Sequence, residues 1–260
     1  MRTPSFVAAC LVVVAVGIGG CQSPKLPDPN DPKTVGVIAP DVLRNLLKGA
    51  ATQFYSRVRT REITDAEAQQ YLTEYANDLL KTVQAKDVPA DRAWEYAEVL
   101  MTAKRWKDAQ KFLELAVKNP DSEDRRVNDN LRLARVQATL GDVDAAVKSA
   151  RSVFNAKPVD KAPILTAVLL EIVPAGEGKK KDAELALLLE EAVYQSRDAQ
   201  VDPSTEAGAK YLAARPFHVR NAWEKIQELY ERAGKPEEGA KAAQRGLGPS
   251  RSETGNDQSI

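Results

Sequence analysis

The chain has 260 residues, 43% apolar and 28% charged, enough apolar material for a sizeable core, as one large domain or a repeat array. Its 37 basic and 37 acidic residues cancel, which excludes the basic excess with which proteins grip nucleic acid. Only Cys10 and Cys21 occur, both at the extreme N-terminus, so the body can hold neither a disulfide framework nor a cysteine-based metal site. Ala, Leu, Glu, Lys, Arg and Gln are plentiful and alternating β-branched runs are scarce beyond the first twenty residues, a composition that predicts an all-α fold.

Residues 1–21 read MRTPSFVAACLVVVAVGIGGC. Arg2 precedes an apolar run from Phe6 to Ile18, 13 residues long. That falls short of the ~20 residues of a bilayer-spanning helix and fits the apolar core of a signal peptide. Ile18-Gly19-Gly20-Cys21 resembles the bacterial lipobox: an aliphatic residue, two small residues that let an extended backbone enter a tight peptidase cleft, and a Cys whose thiol takes the diacylglyceryl group. The resemblance implies a signal peptide over 1–20, cleavage before Cys21, and lipidation of Cys21 with palmitate-like chains. Two or three acyl chains make membrane attachment effectively stable. An ordinary signal peptide cut near Ala15-Val16-Gly17 stays open beside this reading and would free the protein. Gln22 stands where Asp would retain a lipoprotein at the inner membrane. By analogy with enteric bacteria, the expected location is therefore the cell envelope, on the periplasmic side of the outer membrane.

Residues 21–40 form the lipidated Cys and a tether. Pro24, Pro27, Pro29, Pro32 and Pro40 among polar residues rule out a helix and favour extended backbone. At ~3 Å per residue such a tether reaches roughly 50–60 Å.

Helix signals follow in quick succession. From Asp41 to about Val58, Val42, Leu43, Leu46, Leu47, Ala50 and Phe54 fall along one side. Thr64 before Asp65-Ala66-Glu67 reads as a capping arrangement. The helix it starts carries Tyr71, Leu72, Tyr75, Leu79 and Val83 at spacings of three or four, with Pro89 beyond its end. Residues 41–88 are thus predicted as an N-terminal helical pair.

From 89 to 248 the chain is self-similar. Leu133-Ala134 precedes Leu140-Gly141-Asp142-Val143-Asp144-Ala145-Ala146, with Val153 and Pro158 after it. Tyr96-Ala97 precedes Lys104-Arg105-Trp106-Lys107-Asp108-Ala109, then Ala116 and Pro120. Trp223 and Tyr230 precede Gly234-Lys235-Pro236-Glu237-Glu238-Gly239, then Gly246. Small residues stand twelve apart in Ala97/Ala109 and Ala134/Ala146; the third unit keeps the interval as Gln227/Gly239. Each unit resembles a tetratricopeptide repeat, a pair of helices in which small residues allow close packing. The first two units are 37 residues apart rather than about 34, and Gln137 stands where an aromatic is usual. A degenerate pair is predicted at about 161–173 and 180–197. Its connection, Pro174 to Lys181, is too long for a standard turn. A short helix from about Pro203 to Ala213 is expected to end at Pro216. The resemblance covers less than half of the chain. It implies a right-handed helical-repeat superhelix of about five helix pairs, with the first helices lining a concave face. Residues 249–260 are polar and read as a disordered tail.

Catalytic signals are sparse. His218 is the single histidine and is expected, partly buried, at the start of a helix. Gly176-Glu177-Gly178-Lys179-Lys180-Lys181 lacks the spacing of a phosphate loop, has Asp182 in place of Ser or Thr, and reads as a solvated loop. Glu190-Glu191 are adjacent, so on a helix they diverge by ~100°; both are expected on the surface. No cofactor or metal set is legible, and the reading is non-enzymatic. Trp94, Trp106 and Trp223 read mostly as core, with a minority facing the groove. On the geometry that the repeat resemblance implies, Asn128, Leu131, Arg135, Glu224, Glu228 and Glu231 are candidate groove residues. The expected function is an envelope scaffold that binds a protein or peptide partner. The alternatives are a glycan-cleaving envelope enzyme with a cryptic acidic site and a small-molecule binding module.

Overall fold

The computed structural model describes residues 39–83, 85–156 and 164–246. The signal peptide, Cys21, the tether up to residue 38, Pro158 and the 249–260 tail lie outside the described residues. Among these there is no strand, and no helix is long and apolar enough to cross a membrane.

The helices come in consecutive packed pairs. α1 (Pro40–Arg59) packs on α2 (Asp65–Leu80), α3 (Ala93–Thr102) on α4 (Trp106–Ala116), and α5 (Glu123–Leu140) on α6 (Val143–Arg151). Then α7 (Ile164–Ala167), a π-helical turn (Val168–Ile172) and α8 (Val173–Gly176) run on into one another and pack on α9 (Asp182–Asp198). Finally α10 (Glu206–Arg232) packs on α11 (Pro236–Gly246). Successive pairs also touch, through α1–α3, α4–α5, α6–α9 and α9–α10. The all-helical class read from composition therefore holds.

Local chemistry sets the boundaries. Thr64 accepts from the Glu67 N–H at 3.2 Å while the Glu67 carboxylate accepts from the Thr64 N–H at 2.8 Å, the reciprocal capping box expected from the sequence. Ser122 and Asp142 cap α5 and α6 by accepting from Arg125 and Ala145 N–H groups. Between them Gly141 takes φ +92°, a left-handed conformation that ends α5 at no steric cost. The small residues at twelve-residue spacing, Ala97, Ala109, Ala134 and Ala146, are fully buried. A Cβ added to Gly239 would sit 3.3 Å from the Gln227 carbonyl oxygen, so the backbones of α10 and α11 approach closely there.

Two apolar cores result. The smaller joins Leu43, Leu72, Leu79, Tyr96, Leu100 and Leu113 to Leu133 and Val136 of α5. The larger gathers Leu131, Ala134 and Ala138 of α5 with Ile164, Ile172, Leu185, Leu189, Ile226 and Leu229. On α1 only part of the predicted stripe is covered: Leu43 and Leu47 are buried while Val42 and Leu46 stay 42% and 41% exposed. That stripe is wider than the face α2 and α3 can cover.

The structure corrects five expectations. The helix before the 177–181 connection continues through Pro174 to Gly176. The π turn makes this possible: Val173 N–H reaches back five residues to the Val168 carbonyl, a widened turn that absorbs the disruption a proline brings to a helix. Pro216 likewise does not end a short helix but sits inside the 27-residue α10, where Ala222, Ile226 and Leu229 bury a full face and packing outweighs the lost hydrogen bond. His218 consequently lies within α10 rather than at a helix start. The loop at 176–181 is not merely solvated: Lys179 Nζ donates to the Ala138 and Thr139 carbonyls at the end of α5, a second donor for the Ala138 oxygen, which also accepts from the Gly141 N–H.

Glu190 is the fifth. It is buried, not surface, at 8% exposure. Its carboxylate accepts from the Tyr230 hydroxyl at 3.1 Å and pairs with Arg245. Glu191, one residue on, is exposed and pairs with Arg151. Burial, then the Glu190 charge, pushes the Tyr230 phenol from 10.0 up to about 12. A folded-state pKa above the unfolded one gives stability that is whole below pH 10.0 and drains as pH climbs through about 12. Denaturant titrations at about pH 9 and about pH 11.5 should show that loss, and Tyr230→Phe should make it shallower.

Candidate functional site

The first helices of three successive pairs, α1, α3 and α5, bring charged side chains to one place. Trp94 and Glu98 are one turn apart on α3; Arg125, Asp129 and Arg132 follow helical spacing on α5; Arg44 projects from α1. Arg44 and Arg132 both donate to the Glu98 carboxylate. Arg132 also donates to Asp129 at 3.1 Å, and Arg125 donates to the same oxygen. The guanidinium carbons of Arg125 and Arg44 lie 3.5 and 4.5 Å from the Trp94 ring centroid, where the ring face attracts cations.

Asp129 is 1% exposed, and burial pushes its carboxyl up even though Arg125 and Arg132 pull it down. Burial pushes the Arg125 guanidinium down, against the raising effect of Asp129. Desolvation therefore outweighs attraction at both ends, the usual balance for an ion pair removed from water. Glu95, also buried, is pushed up chiefly by desolvation and pulled down by Arg92.

Above this network lies an open depression of about 400 Å³. Arg44, Lys48, Glu98, Arg132, Arg135 and Glu171 supply its charged rim and Leu47, Leu72 and Met101 its apolar floor. Glu171 comes from the π turn and accepts from Arg135 at 3.0 Å. Lys48 makes no ion pair among the described residues. Four cations face two carboxylates, so the rim is net positive although the chain is neutral.

Of the residues proposed for a groove, only Arg135 lines this depression. Leu131 is 7% exposed and belongs to the larger core. Asn128 is half-buried on α5. Glu224, Glu228 and Glu231 are exposed along α10; Glu228 pairs with Lys225 and Glu231 accepts from Gln227. Sequence reasoning missed Arg44, Glu98, Arg132 and Glu171, and named Trp94 only among tryptophans read mostly as core. The usable signal was the i, i+4, i+7 charge spacing of Arg125, Asp129 and Arg132, which marks one helix face.

Among the described residues no group of His, Cys, Asp and Glu could hold a metal ion. The Nδ1 atom of His218 is buried without a hydrogen-bond partner among them. No family model, curated protein or solved structure matches this chain.

Proposed function

We propose that this chain is a membrane-anchored lipoprotein of the bacterial envelope, held through Cys21. In this reading its helix pairs form a tetratricopeptide-like superhelix that docks a carboxylate-bearing segment of a protein or peptide partner. The observation that carries the reading is the depression built by α1, α3, α5 and the π turn, open and net positive on its rim. Guanidinium groups offer paired donors matched to carboxylates, and the apolar floor offers area for side chains between them.

A glycan-cleaving reading needs an acid held protonated beside the substrate. Glu98 and Glu171, the carboxylates on the rim, are each engaged by arginine. Asp129 and Glu95, the two pushed up, do not line the depression. Those placements favour binding over acid catalysis.

Crosslinking in cells tests the proposal. Wild type should partition with membranes and trap one recurrent neighbour, and Cys21→Ser should release it into the soluble fraction. Lys48→Glu with Arg135→Glu, both on the rim, should keep the helical circular dichroism and lose the crosslink. Unchanged partitioning of Cys21→Ser removes the anchor from the proposal; an unchanged crosslink in the charge-reversed variant removes the groove.

A further inference from the structure

A second cavity lies at the opposite end of the array from α1, between α9, α10 and α11, and shares no residue with the depression described above. It measures about 470 Å³, within the roughly 300–1,000 Å³ of small-ligand sites. Its lining carries two chemistries. Val193, Tyr194, Val219 and Trp223 supply apolar surface, with Tyr194 set edge-on to Trp223 at 5.9 Å between ring centroids. Arg197, Arg215 and Arg245 supply its cations, and among the described residues no acidic one lines the cavity.

The three arginines are not equally committed. Arg245 pairs with the buried Glu190 behind the wall. Arg197 pairs with its neighbour Asp198 at the exposed edge and lies 5.0 Å from the Tyr194 ring centroid. Arg215 is half-buried and donates only to the Ser196 carbonyl, at 3.3 Å. Among the described residues it has no carboxylate partner. A half-buried cation with four further N–H donors and no anion is an incomplete pairing. Pro216, beside it on the wall, brings no N–H of its own, and the arginines are the only charged donors among the lining residues. The tight approach of α11 fixes the back of the cavity, where a Cβ on Gly246 would meet the Trp223 Cβ at 2.7 Å.

We infer that this cavity binds a carboxylate attached to an aromatic or branched apolar group, with the carboxylate on Arg215 and the apolar group against Tyr194 and Trp223. Such a group occurs as a free small molecule or as the last residue of a peptide. The shared chemistry is a charge-assisted pair at one end and buried apolar area at the other.

Isothermal titration of the full chain tests this with three probes of one shape: 4-phenylbutyrate, 4-phenylbutanol and 4-phenylbutylamine. Saturable binding of the acid is expected below about 5 mM, at least about tenfold tighter than the alcohol, and none of the amine. Arg215→Gln and, separately, the exposed Arg197→Gln should weaken the acid while leaving the helical signal intact, and Lys48→Gln in the other depression should not. A peptide ending in a free Phe carboxylate, run beside its C-terminal amide, identifies the source: the tighter of peptide acid and 4-phenylbutyrate is the natural form. Equal binding of acid and alcohol overturns the inference, as does no saturation by either acid. Because the comparison among probes uses the unaltered chain, a variant that fails to fold leaves it decisive.

Discussion

Replacing Asp129 by alanine is expected to cost about 3–5 kcal/mol of folding stability, far more than the loss of an exposed ion pair. Asp129 is almost wholly buried, and Arg125 and Arg132 both donate to it. Its removal leaves two cations on α5 without their shared anion, with Arg125 itself mostly covered. The same logic predicts a partial rescue. Changing Arg125 to Met in the Asp129→Ala background removes the more covered of the two cations, while Arg132 keeps Glu98 as its partner, so less unpaired charge stays buried. The double variant should therefore be more stable than Asp129→Ala, measured as urea midpoints at equal slope. Should the double variant unfold as early as the single one, the lost Arg125–Trp94 stacking offsets the relief of unpaired charge.

The second large effect is in the larger core. Leu185 on α9 is fully buried, and its side chain fills the space beside Gly176 of α8. A Cβ on Gly176 would lie 3.2 Å from Leu185 Cδ1 and 3.4 Å from Val143 Cγ2. Leu185→Ala should cost about 2–5 kcal/mol, through lost transfer energy and the cavity left between helices. Gly176→Ala alone gains backbone rigidity in a helix, up to about 1 kcal/mol, but presses on Leu185. In the Leu185→Ala background the same methyl enters vacated space. The two substitutions should be coupled favourably by about 0.5 kcal/mol or more in a double-mutant cycle. A coupling near zero would mean that α8 and α9 separate freely, against the packing described.

How much of this was legible in the sequence depends on which force decided each feature. Thr64–Glu67, Gly141 and the alanines at twelve-residue spacing act locally, within a turn or a helix pair, and spacing alone identifies them. Pro174 and Pro216 mislead because their local effect is to break a helix, while the π turn and the packed face of α10 that override it depend on distant residues. Gln137 looks like a defect in the repeat, yet it is buried and accepts from Ser149 at 2.8 Å, a partner that becomes visible only when α6 folds back. Glu190 was read as surface because charge predicts exposure, and its partners Tyr230 and Arg245 lie 40 and 55 residues away. The candidate site was the least legible. Arg44, Glu98, Arg132 and Glu171 come from four separate elements, and the rotation of each helix that brings them together is set by core contacts. Helix α5 makes this hardest, since its apolar residues lie on two faces and leave two possible readings of which side is free.

That double-faced helix also sets how the molecule answers to mechanical load. Leu133 and Val136 of α5 close one core while Leu131, Ala134 and Ala138 close the other, so α5 works as a party wall between two rooms. Force entering at Ala39 acts first on α1 and α2, which touch nothing beyond α3 to any extent, and strips the smaller room. The larger room keeps its wall until α5 itself is pulled, because the contacts holding α5 there are separate from those already lost. Under a load applied at Ala39 the described helices would then yield in a graded way, and the cavity between α9, α10 and α11 would yield last.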